Sequence, residues 1–237
     1  DDPDAPVGNG RAIAVLAARA GAAVACADIS AEAAEETARL VEAEGAQSAV
    51  VVGDVRFEAS CAGMVREAAD ALGGLDALVC NVGVGGGMWL KGTTAEQWDD
   101  VMAVNLRAHF LLCQAALPVM DDGSAIVLIS SIAGLGAGSR IPAYDASKAA
   151  LSGLCRHVAF EGARRGIRAN VVAPGLVDTP LGRMATQGRP SRAKTPVPLG
   201  RQATAWEIAA PVVFLLSEEA AYITGAILPV CGGLSTL

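Results

Sequence analysis

The chain has 237 residues, 52% of them hydrophobic and 18% charged, with a net charge of −7. That length and composition suit one large α/β domain with a full core and exclude a disordered chain. The acidic balance and the lack of a basic cluster exclude nucleic acid as an expected partner, and no apolar run approaches the roughly 18 residues of a membrane span.

Six cysteines (Cys26, Cys61, Cys80, Cys113, Cys155 and Cys231) stand far apart, with no Cys-x-x-Cys pair, and His109 and His157 have no ligand spacing. The expectation is a reduced, cytoplasmic protein with no structural metal. No internal repeat or linker divides it, so residues 1–237 read as a single domain.

Residues 1–7 are polar and read as a loop. Gly8-Asn9-Gly10 opens an apolar helical segment, 11–19, closed by Gly21; the strand 23–28 follows and ends in Asp28. A glycine turn opening a helix, then a strand ending in an acid, is half of a dinucleotide fingerprint. Glycines let the backbone approach a pyrophosphate, the helix N-terminus supplies N–H groups, and the carboxylate takes the ribose hydroxyls. The fingerprint should follow a hydrophobic strand, and none stands before Gly8. We expect such a strand ahead of Asp1 in the native protein; a longer phosphate loop is the alternative.

Ser30 should cap a helix at 31–44, with Gly45 as its stop. A strand at 49–52 leads into Gly53-Asp54-Val55. A helix at 58–72 and a strand at 76–80 follow, then Asn81-Val82-Gly83. Thr93 or Thr94 should cap a long helix running to about Leu117, with Asn105 inside it. A buried Asn must find partners; it is either a satisfied core amide or a functional group.

The strand 126–131 ends in Ser130 and Ser131. The segment 142–162 reads as a helix carrying Tyr144-Asp145-Ala146-Ser147-Lys148. Tyr144 and Lys148 are four apart and share one helix face. A phenol near pKa 10 is a poor base, and an adjacent ammonium favours the phenolate. A strand at 167–172 runs into Ala173-Pro174-Gly175-Leu176-Val177-Asp178-Thr179-Pro180. Residues 181–197 show no clean periodicity. A helix at 205–217 and a last strand within 224–233 complete the chain.

These motifs resemble the short-chain dehydrogenase/reductase family in its compact single-domain form, from about Gly8 to Gly233. The resemblance implies a doubly wound, Rossmann-like parallel sheet whose first strand is missing from this sequence. It also implies NAD as cofactor and a secondary alcohol or ketone as the small-molecule substrate. Tyr144 would be the acid/base, with Lys148 lowering its pKa and holding the nicotinamide ribose. Ser131 would hydrogen-bond the substrate oxygen, and Asn105 would support a proton relay through water. Gly8, Asn9, Gly10, Asp28, Asp54, Val55, Asn81 and Gly83 would line the adenosine and pyrophosphate, with Asp54 at the adenine. Pro174, Gly175, Val177 and Thr179, together with Tyr144 and Lys148, would hold the nicotinamide end.

Some positions depart from the family pattern. Asp4 replaces its first glycine, Asn9 a usual aliphatic residue, Cys80 and Val82 part of its Asn-Asn-Ala-Gly, and Cys231 a common Asp. Residues 181–197 sit where the family carries its substrate loop, and Leu181, Met184, Trp89 and Leu135 suggest a partly apolar pocket. The resemblance and the apolar end of the chain imply a homotetramer. Two alternatives stand beside the main reading: an NADPH-dependent ketoreductase of the acyl-carrier type, which Asp28 disfavours, and a non-catalytic nucleotide-binding module.

Overall fold

In the computed structural model, which describes residues 6–136 and 138–236, strands and helices alternate. The first unit is α1 (Asn9–Arg19), β1 (Val24–Asp28), α2 (Ala31–Ala43) and β2 (Ser48–Val52). Then come α3 (Glu58–Leu72), β3 (Ala77–Cys80), α4 (Ala95–Met102), a π-helical turn (Ala103–Arg107), α5 (Ala108–Ala116) and β4 (Ala125–Ile129). The last part holds α6 (Pro142–Gly162), β5 (Arg168–Pro174), β6 (Val177–Asp178), α7 (Pro180–Gln187), β7 (Ala203–Thr204), α8 (Ala205–Leu216) and β8 (Ile227–Val230).

Local sequence accounts for most boundaries. The Ser30 hydroxyl accepts from Ala33 N at 3.3 Å and starts α2. Thr94 and Gln97 form a capping box on α4, and Thr204 and Glu207 another on α8. Pro142, whose missing N–H costs nothing in a first turn, begins α6.

All strand pairs are parallel. The main sheet has the order β3-β4-β5-β8, and β1 pairs with β2 in a second sheet. β4 and β5 are buried along their whole length, as a sheet covered on both faces requires. The alternation along β4 divides the core. Ile126 and Leu128 pack with α3, α5 and α6, while Val127 and Ile129 pack with α1 and α8. A third cluster, with Ala18, Cys26, Ala38 and Val41, joins α1 and α2 to β1.

Among the described residues, these two sheets are not hydrogen-bonded to each other. One cavity of about 2540 Å³ is lined by β1, by β3 and by the N-terminal end of α1. It continues across the carboxyl ends of the strands, where parallel α/β folds place their ligands. Asp4 and the segment expected ahead of Asp1 lie outside the described residues.

Two expectations needed correction. The long helix expected to reach Leu117 is interrupted at Ala103–Arg107 by the π-helical turn, which contains Asn105. Residues 181–197, read as lacking periodicity, contain most of α7 and a short 3-10 turn at Pro190–Lys194. α7 is started by Thr179, whose hydroxyl accepts from Gly182 N at 3.0 Å.

Candidate active site

Helix α6 carries Tyr144 and Lys148 on the face that meets the end of β4. The Lys148 ammonium donates to the Ile129 carbonyl at 2.9 Å. In return the Ser130 hydroxyl donates to the Lys148 carbonyl at 2.7 Å. These two bonds brace helix to strand and fix the ammonium, which is 3% exposed and 5.8 Å from the centre of the Tyr144 ring. Ser131, the next residue, accepts from Ala133 N at 3.2 Å and lies close enough to the Tyr144 phenol to pull its pKa down.

Asn105 sits in the π-helical turn and is fully buried. Its Oδ1 accepts from Val84 N at 2.8 Å, and its Nδ2 donates to Val84 O at 2.9 Å and to Ser147 Oγ at 3.2 Å. A π-helical turn shifts the chain by one residue and is a common device at functional positions. Here it aims an amide inward, where the strand-end loop and α6 meet it. Gly83 lies between the two groups: a Cβ there would stand 3.2 Å from Lys148 Nζ and 3.6 Å from Asn105 Oδ1.

Burial decides the protonation pattern. It pushes the Tyr144 phenol up, and the Ser131 hydroxyl opposes it; Asp145 adds to the rise, while Arg192 and Arg189 pull the other way. Burial also pulls Lys148 down to about 8. Lys148 was expected to depress the phenol. With its ammonium turned to Ile129 O, desolvation of the phenol prevails instead.

Beneath the site, His109 is fully buried with Nε2 3.1 Å from Cys80 O. Burial and the nearby Lys148 hold it down at about 3, so it is neutral. Nothing in its sequence spacing announced this position.

Every residue expected to contact the cofactor lines the cavity, as does Ser131; Asn105 lies behind it. Gly8 precedes α1 with no side-chain cap, leaving the first-turn N–H groups for a ligand. A Cβ at Gly10 would stand 2.9 Å from Asn81 Nδ2, so the helix start and the β3 end pack without room for a side chain. Asn9 Oδ1 is buried and has no partner among the described residues. Asp28 Oδ1 accepts from Ser30 N at 2.9 Å, which leaves its other oxygen for a ligand. These features fit an extended dinucleotide, with a carboxylate for the ribose and an open acceptor for a hydroxyl or amide donor. Asp54 is tied to Arg56 by a 2.6 Å ion pair, which holds its carboxyl below the usual range. The Thr179 hydroxyl keeps its proton available while its oxygen caps α7.

Leu135 and Leu181 line the cavity as expected, whereas Met184 and Trp89 do not. Arg189 and Arg192 line it too, and sequence reasoning gave them no role.

A family model described as enoyl-(acyl carrier protein) reductase matches residues 6–235. The 2-(S)-hydroxypropyl-CoM dehydrogenase 3 of Xanthobacter autotrophicus is 36% identical, over 97% of this chain and 93% of its own. Among solved structures, levodione reductase superposes with a TM-score of 0.92 at 33% identity, covering 97% of this chain and 94% of that one. A structure described as a 2-deoxy-d-gluconate 3-dehydrogenase from Agrobacterium tumefaciens with bound NADP gives 0.85 at 31% identity, over 97% and 93%. Likeness of this extent, over the same strands and turns that build the cavity, makes the chain a member of the short-chain dehydrogenase/reductase family, an oxidoreductase that moves hydride between a nicotinamide cofactor and an alcohol or ketone.

Proposed function

We propose that the enzyme interconverts a secondary alcohol and its ketone with NAD(H), using Tyr144 as acid/base. The observation that carries this reading is the convergence of Tyr144, Ser131 and Lys148 where β4 meets α6. Tyr144 takes the proton from the alcohol in oxidation and returns it in reduction. Ser131, beside the phenol, orients the substrate oxygen. Lys148 supplies a fixed positive charge beside the ring and a donor for the nicotinamide ribose. Asn105 holds the Val84 backbone and Ser147 in place, and its remaining acceptor capacity suits a water on the path from Lys148 to solvent. The nicotinamide supplies or accepts the hydride at C4. The protein's own contribution is position and electrostatics.

NAD is the preferred cofactor in this reading because Asp28 stands where the adenosine ribose would lie. The NADP in the Agrobacterium neighbour favours the second reading, a reductase using NADPH. The assembly is a homotetramer working in the cytoplasm; no helix among the described residues is long and apolar enough to cross a membrane.

The test is Tyr144→Phe. NADH binding, read by its fluorescence, should persist while turnover of a secondary-alcohol panel falls by about 10²- to 10⁴-fold, the usual weight of one acid/base group. Turnover within tenfold of the unmutated enzyme would remove Tyr144 from the chemistry.

A further inference from the structure

Arg189 and Arg192 stand out by their place: Arg11 and Arg140 also line the cavity without a carboxylate partner among the described residues, but these two act together on Tyr144. The arginines at 19, 56, 165, 183 and 201 each pair with a carboxylate. Arg189 and Arg192 pair with none among the described residues, although both line the cavity beside Tyr144. Arg192 is half-buried and held by neutral groups: its Nη1 donates to Gly182 O at 3.0 Å and to Thr186 Oγ1 at 2.8 Å. Arg189 donates to the carbonyl of Ser139, which also lines the cavity.

This arrangement is unfavourable as it stands. Burial lowers the basicity of Arg192, and the like charge of Arg189 lowers it further. Both charges also reach the Tyr144 phenol. Two neighbouring, partly desolvated cations without a counter-ion are costly, and a bound anion relieves that cost. The chain as a whole carries −7 and acids line other parts of the cavity, so this pair of cations is a local feature rather than a general basic character. Each guanidinium presents five N–H donors in a planar fork, and only one or two of them are used here.

We propose that Arg189 and Arg192 form an anion subsite, and that the substrate is a small secondary alcohol or ketone carrying a carboxylate, sulfonate or phosphate a few atoms from the reacting carbon. The proposal rests on the hydride-transfer reading above. The anionic end docks on the two forks, and the carbinol end meets Ser131 and Tyr144. The apolar wall at Leu135 and Leu181 covers the carbons between.

The test measures a ratio. The unmutated enzyme, Arg192→Gln, Arg192→Lys and Arg189→Gln are assayed on methyl carbinols of four to eight carbons, each neutral or ending in carboxylate, sulfonate or phosphate. At least one anionic series should exceed its neutral counterpart by about tenfold or more in kcat/KM. That ratio should collapse in the two Gln variants and persist in Arg192→Lys. The three anionic arms identify which head group the subsite takes. A ratio near one in the unmutated enzyme overturns the proposal. So does an equal loss on neutral and anionic substrates in Arg192→Gln, which would assign the arginine to the cofactor phosphates. A second readout separates failure of the subsite from failure of the hydride-transfer reading. At least one of hexanoate, hexanesulfonate and hexyl phosphate, but not hexanol, should raise the melting temperature of the NADH-loaded protein at matched ionic strength, and Arg192→Gln should abolish the rise. If no alcohol turns over yet this rise is seen, the subsite stands and the hydride reading falls. If hexanoate, hexanesulfonate and hexyl phosphate all give no rise, the subsite falls.

Discussion

Gly83 and Lys148 are packed so closely that a Cβ on the glycine would stand 3.2 Å from the lysine Nζ. The same Cβ would lie 3.6 Å from Asn105 Oδ1, so one missing methyl keeps the loop after β3 against both groups. The ammonium cannot retreat freely, because it is bonded to Ile129 O at 2.9 Å and buried. Gly83→Ala should therefore shift Lys148 by a few tenths of an ångström and lower kcat by about tenfold, since small misplacements are expensive at reacting centres. Gly83→Val, with two further carbons in the same space, should lose roughly a hundredfold or more and cost about 1–3 kcal/mol of stability. Chemical denaturation and steady-state kinetics on both variants check this; unchanged kinetics in the Val variant would mean that Lys148 is not positioned by this loop.

His109 gives a prediction about stability and pH. Its folded pKa is about 3 against an ordinary 6.5, because burial and Lys148 both disfavour the charged ring. The pKa is depressed, so the neutral ring's contribution is fully present above pH 6.5. It is lost as pH falls towards 3, because the unfolded chain binds the proton first. Each unit below 6.5 costs about 1.4 kcal/mol, or about 2 kcal/mol at pH 5. His109→Gln keeps a donor for the Cys80 carbonyl and removes the titration. The difference between the urea midpoints at pH 7 and pH 5 should be clearly smaller in the variant. An equal pH response in both proteins would show that His109 takes up its proton without unfolding.

Oligomerisation can be tested at the surface. Phe160 on α6 is 81% exposed, Phe110 on α5 is also exposed, and Tyr222 before β8 is fully exposed. Large apolar side chains left exposed on helices and near the last strand are usual at subunit contacts. Light scattering should give about four chain masses at micromolar concentration. Phe160→Glu should reduce that mass, since a carboxylate would be buried without a partner in any interface that covers position 160. A monomeric unmutated protein would refute the tetramer.

Much of this was legible in the sequence, because the signals were local. The bounds of α3 and α6, the Ser30 cap and the placing of Ser131 and Tyr144 follow from periodicity and capping residues. The π-helical turn was not legible: its one-residue shift leaves the apolar pattern of α4 and α5 nearly intact, and its stabilising partners, Val84 and Ser147, lie far away in sequence. α7 was hidden by Gly182 and by a short length that carries little periodic signal. The direction of the Tyr144 shift could not be read either. Four-residue spacing places Lys148 on the same face, but the Ile129 carbonyl, from another element, decides where its ammonium turns.

Cofactor choice rests on Asp28 at the end of β1. Its Oδ1 is held by Ser30 N at 2.9 Å, which orients the carboxylate on the cavity wall. An oriented carboxylate can accept from both ribose hydroxyls of NAD. The 2′-phosphate of NADP would meet a like charge and lose those bonds. Two unit charges about 4 Å apart repel by about 4 kcal/mol at an effective dielectric near 20. Asp28 is exposed, so solvent and salt reduce that figure. A residual of about 2 to 3 kcal/mol still corresponds to roughly 30- to 150-fold in affinity. Arg11, also in the cavity wall, is a candidate to offset the repulsion; its Nε is 3.4 Å from Thr37 Oγ1, a weak tie that a phosphate could break. NAD should therefore be favoured by at least about tenfold in kcat/KM. Asp28→Ser should narrow the gap by relieving the repulsion, and Arg11→Ala in that background should reopen it by removing the cation. Equal or better activity with NADP in the unmutated enzyme would show that Asp28 does not face the ribose, and the NADPH-dependent reading would then take its place.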